Sequence, residues 1–120
     1  MGNGMGKQLE AVFSGVFVLR DGVSEAEFLP TLHAFYNHFI AIGFATSYRI
    51  LRRVPLEGFG KTLPAFTYRG ELQYPNLEQE QAAYEYVKKD EEPIRSLHRT
   101  MNTKVKPGAD FFLEEYIGST

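Results

Sequence analysis

The chain has 120 residues, 43% of them hydrophobic and 23% charged, with a formal net charge of -2. That is the size of one domain, able to bury roughly two thirds of its unfolded surface. Its balance argues against a disordered chain and against the basic footprint of a nucleic-acid-binding protein. Cysteine is absent, which removes disulfides, thiolate nucleophiles and cysteine metal sites and fits a cytoplasmic protein.

Residues 1–10 read as a flexible lead-in, and a single domain is expected over 11–118. Gly6 stands where a myristoylation signal requires Ser or Thr. Ala11 to Leu19 is rich in strand formers, with Phe13, Phe17 and Leu19 on one side and Val12, Val16 and Val18 on the other. A strand apolar on both faces is buried on both faces. The run is too short to span a bilayer and lacks signal-peptide flanks, so no membrane partner is expected. Asp21-Gly22 then turns the chain.

Ser24, with Glu27 three residues on, forms a capping box that starts a helix. Phe28, Leu32, Phe35, Phe39 and Ile42 recur along it at helical spacing and require a sheet to lie on. Pro30 is too deep for a first-turn proline and predicts a kink or restart. Gly43 ends the helix. Thr46 to Val54 is a second strand whose charges suit a sheet edge. Pro55 to Pro64 is a loop with Phe59 and Lys61 as candidates for a lid.

Ala65 to Tyr74 is the clearest strand. Phe66, Tyr68, Gly70, Leu72 and Tyr74 fall on one side, and Thr67, Arg69, Glu71 and Gln73 on the other. Asn76 caps a helix from Leu77 to about Lys89, and a shorter one follows Asp90-Glu91-Glu92-Pro93 through Met101. After Pro107-Gly108, Asp110 to Ile117 is the last strand, with Phe111, Leu113 and Ile117 facing one way and Phe112, Glu114 and Tyr116 the other.

The order is the split βαβ pattern of ferredoxin-like folds: βαββαβ, a four-stranded antiparallel sheet with helices on one face and the first and third strands central. Helices on one face leave Val12, Val16, Val18 and Phe112 uncovered. A patch of that kind marks an interface, and a twofold pairing of sheet faces is the simplest cover.

On this element order and the doubly apolar first strand, residues 11–117 resemble the dimeric α+β barrel superfamily, which includes antibiotic-biosynthesis monooxygenases and stress-responsive barrel proteins. The resemblance implies a homodimer through the open sheet faces and a lumen lined by Thr67, Arg69, Glu71 and Gln73, with Arg49, Glu114 and Tyr116 pointing the same way. There Arg69 would bind a carboxylate or enolate and Glu71 would accept a proton. The alternative is a structural ion pair, the more common use of such residues. His98, on the apolar side of the short helix, is a further candidate to move protons, against the plain role of a satisfied interior histidine. His33 and His38 are five residues apart, not the four of a metal clamp, and no metal or cofactor is expected. Three readings stay open: a cofactor-free enzyme, monooxygenase- or isomerase-like, acting on a small, partly apolar, oxygen-bearing compound; a binding protein without turnover; and a purely structural dimer.

Overall fold

A computed structural model describes residues 9–118. Residues 1–8 of the expected lead-in lie outside the described residues. In chain order the elements are β1 (Ala11–Phe17), α1 (Glu25–Ala41), β2 (Ser47–Arg52), β3 (Tyr68–Tyr74), α2 (Leu77–Lys88), α3 (Ile94–Asn102) and β4 (Asp110–Glu115). The strands make one antiparallel sheet in the order β2-β3-β1-β4. β1 and β3 are therefore central and β2 is an edge, as the patterning of those segments predicts. The fold is ferredoxin-like α+β.

Register assigns the two faces. Phe13 pairs with Leu72 and Leu113, and Phe17 with Tyr68, so these side chains look toward the helices. Val12 pairs with Gln73 and Glu114, Ser14 with Glu71 and Phe112, and Val16 with Arg69 and Asp110. That second set is the open face, because alternate residues of a strand point to opposite sides.

The helix-facing core joins Phe17, Tyr68, Leu72 and Tyr74 of the sheet to Phe28, Leu32, Tyr36 and Phe39 of α1, with Ile94 and Met101 from α3. Gly15 and Gly70 face each other across β1 and β3 and open a trough in the sheet. Tyr36 occupies it so closely that a Cβ on Gly70 would lie 2.1 Å from the tyrosine oxygen. The capping box at Ser24 and Glu27 is formed. Arg52 Nε and Tyr68 Oη each donate to Glu25 Oε1 at 2.8 Å, tying the start of α1 to the sheet.

Four expectations change. α1 runs through Pro30 as one helix. Ala26 and Pro30 are both exposed, so the carbonyl that loses its donor is on the solvent side, where hydration replaces the bond. β3 begins at Tyr68 rather than Ala65: Thr67 still donates to Phe17 O and accepts from Arg53 N, while the segment before it turns to Arg53, whose Nη1 donates to Pro64 O at 2.8 Å and whose guanidinium lies over the Phe66 ring. β1 stops at Phe17, after which Leu19 bridges Val105. As for the lid candidates, Phe59 is 72% exposed and Lys61 is exposed too, so the loop does not close over a cavity. Among the described residues no helix is long and apolar enough to cross a membrane.

Candidate functional site

The polar row of β3 belongs to a ladder of charges crossing the open face. Arg49 of β2 pairs with Glu71 Oε1, Arg69 Nη2 lies 3.1 Å from Glu71 Oε2, and Arg69 also reaches Glu114 of β4 at 3.5 Å. The Arg69 guanidinium sits 5.3 Å from the Phe112 ring centroid. Phe112 and Arg69 thus roof β1 at Ser14, which is fully buried. At one end of the ladder, Ser47 Oγ donates to Gln73 Oε1 at 2.8 Å. Arg49, Arg69, Glu71, Gln73 and Glu114 are therefore brought together. Thr67 and Tyr116 lie toward the rim, Thr67 beside Val18 and Phe66 and Tyr116 beyond the end of β4. Each Glu71 oxygen faces a guanidinium, which is how an inter-strand ion ladder is built. An open proton acceptor would keep one oxygen for its substrate.

His98 is not brought to this group. Its ring stacks on Phe35 of α1, with centroids 5.5 Å apart and planes 28° apart, on the helix side of the sheet. β1 and β3 stand between it and Glu71, so the two cannot act on one substrate atom.

What His98 does line is a cavity of about 200 Å³ between the helices and the sheet. Its walls include Phe13, Phe39, Leu72, Val87, Met101 and Phe111, and its titratable members are His98, Tyr74, Tyr84 and Glu80. Glu80 is 8% exposed, and its carboxylate has no hydrogen-bond or ion-pair partner among the described residues. Burial raises its pKa above the ordinary carboxylate value. Burial also raises the Tyr74 pKa, with the Glu80 charge adding to it. A carboxyl in apolar walls with an elevated pKa is the usual setting of a general base or acid.

Sequence reading passed over Glu80, though a signal was present. Leu77, Ala83, Tyr84 and Val87 form the apolar stripe of α2 at helical spacing; Glu80 falls within it and is buried with Ala83, while Leu77 and Tyr84 stay exposed, and a charged residue inside an apolar stripe needs a reason to be there. The other histidines serve the framework: His33 Nδ1 is 2.6 Å from Tyr48 Oη and His38 Nε2 is 2.8 Å from Tyr86 Oη. Among the described residues, no group of three or more His, Cys, Asp or Glu side chains could hold a metal ion.

The raised Glu80 pKa has a measurable consequence. The folded carboxyl binds its proton more tightly than the unfolded one, so the native state carries more protons between the two pKa values. Unfolding free energy then falls as pH rises from about 4.5 through the folded value. Urea titrations of Glu80→Gln should lack that loss and give a more stable protein than wild type at neutral pH. Parallel pH profiles for the two would contradict the burial described.

A family model described as a family of unknown function (DUF6614) matches residues 11–113. No curated protein matches the chain. Several solved structures share the fold. SnoaB, a cofactor-independent oxygenase from Streptomyces nogalater, is 11% identical with a TM-score of 0.66, covering 92% of this chain and 96% of that one. A hydroxynitrile lyase from Passiflora edulis is 7% identical with a TM-score of 0.64, covering 93% and 97%. A dimeric ferredoxin-like protein of unknown function from Thermobifida fusca is 10% identical with a TM-score of 0.61, covering 95% and 97%. At such identities the likeness is one of fold.

Proposed function

This chain belongs to DUF6614, a family of unknown function, and from its geometry we propose a homodimeric barrel protein that takes a small, largely apolar molecule into the cavity between helices and sheet, where Glu80 accepts a proton from it. The observation that carries this reading is the Glu80 carboxyl, unpaired among the described residues and set in apolar walls. A carboxyl at the edge of an apolar cavity is placed to meet what enters it. Oxygenase and lyase activities on neighbouring structures of this fold support the idea that so small a domain can host chemistry.

In this reading the open face is the dimer surface. Val12, Val16, Leu51 and Phe112 lie there among the mixed charges of the Arg49–Glu71–Arg69–Glu114 ladder. Such a face is self-complementary, as a twofold contact requires. The ladder then holds strands and subunits in register, and Arg69 and Glu71 have a structural role.

The cavity is tested with 1-octanol as probe. Calorimetry should detect binding to the wild type, and Ala83→Phe should weaken it at least about tenfold by filling the space. Ala83 is buried and lines the cavity. Glu80→Gln should leave the affinity for this neutral probe unchanged. Equal binding by wild type and Ala83→Phe would place the probe elsewhere and end the reading.

A further inference from the structure

Resting on the cavity reading above, a second feature bears on what kind of molecule enters. Against the exposed side of α3 lies a pocket of about 280 Å³ whose lining includes Arg20, Arg95, Arg99, Asn102 and Thr103. His98 lines this pocket and the apolar cavity alike, so the two spaces adjoin at that residue.

The pocket has an excess of cationic donors. Arg20 Nε donates to Val105 O at 2.8 Å, which fixes the guanidinium while leaving its terminal nitrogens available. Arg20 and Arg99 have no ion-pair partner among the described residues. Asp90 is the one carboxylate in the lining, and it pairs with Arg95, 3.6 Å from Nε. The remaining positive charge belongs to Arg20 and Arg99, joined by the amide of Asn102, while the Thr103 hydroxyl donates to Thr100 O at 2.7 Å. Spacing on α3 explains the arrangement: Arg95 and Arg99 are four residues apart and share a face, while Ile94 and Met101 are turned into the core.

We propose that the occupant is an amphiphilic carboxylate, with its apolar body in the cavity and its carboxylate held by Arg20 and Arg99. Guanidinium groups suit a carboxylate because their parallel N–H bonds match its two oxygens. Glu80 sets the direction. An acid inside the cavity repels an anionic end, so the charged group faces the arginines and the apolar end extends toward α2. The head group anchors the molecule, and the part farther along the chain meets Glu80.

The test compares two probes that differ in the head group, octanoate and 1-octanol, by calorimetry on the full chain. Octanoate should bind wild type about tenfold more tightly than 1-octanol, and that margin should shrink as salt is raised. Arg20→Gln/Arg99→Gln should bring octanoate to the level of 1-octanol and leave 1-octanol unchanged. Arg99→Gln alone, which removes a side chain with no hydrogen bond among the described residues, should act in the same direction without disturbing the fold. Equal affinity of the two probes for wild type, with Ala83→Phe still excluding both, would overturn the carboxylate proposal and leave the cavity reading intact. If neither probe binds, both fail.

Discussion

Val12→Asp is expected to turn a dimer into a monomer. Sedimentation of the wild type should give twice the 13.7 kDa chain mass, and the variant should run at the single-chain mass. Val12 sits on the open face of the central strand β1, and its cross-strand partners Gln73 and Glu114 offer no positive charge. In a separate protomer the new carboxylate is hydrated and the fold tolerates it, so far-UV circular dichroism should be unchanged. In the face-to-face dimer it is taken out of water on a face where Arg49 and Arg69 are already paired with Glu71 and Glu114, at a cost of about 3 kcal/mol per copy. Two copies per dimer raise the dissociation constant by more than about a thousandfold. A wild type that sediments as a monomer, or a variant that stays dimeric, would show that this face is not the contact.

Gly70→Ala should produce the largest loss of stability among single-methyl changes in the sheet. The added Cβ would fall 2.1 Å from Tyr36 Oη and 2.9 Å from both Cε2 and Cζ of the same ring. Tyr36 is 3% exposed and packed between its own helix α1 and the sheet, so it has little room to move. Overpacking of this kind costs about 2–3 kcal/mol, which lowers Tm by roughly 10 °C in a domain of this size. Because the hydroxyl makes the closest approach, the same substitution in a Tyr36→Phe background should cost about 1 kcal/mol less. A double-mutant cycle reads that coupling directly. Additive effects would mean the trough does not seat the tyrosine as described.

Much of the framework could be read from the chain. The alternation from Tyr68 to Tyr74 assigned the helix-facing and open rows of β3 correctly, and the capping box placed the start of α1 within a residue. The doubly apolar first strand pointed to a face that needs covering. The candidate site was legible in a narrower sense. Arg49, Arg69, Glu71 and Glu114 were expected on one face and are found there, but their pairing into a ladder depends on strand register. Register arises from β2 and β4 aligning against β3 and β1, not from any local pattern.

His98 shows the limit most clearly. Its helical spacing correctly made it partly buried, yet spacing cannot say that the sheet stands between it and Glu71. Glu80 is the converse case: a local irregularity gained meaning only when Phe13, Phe39 and Phe111, distant in sequence, closed around it. By itself the sequence determined the strands, the helices and which side of each is apolar, because those follow from backbone periodicity and the transfer of side chains out of water. The tertiary structure alone decided which polar groups meet, which are left without partners and where space remains, because these depend on the packing of segments separated by tens of residues.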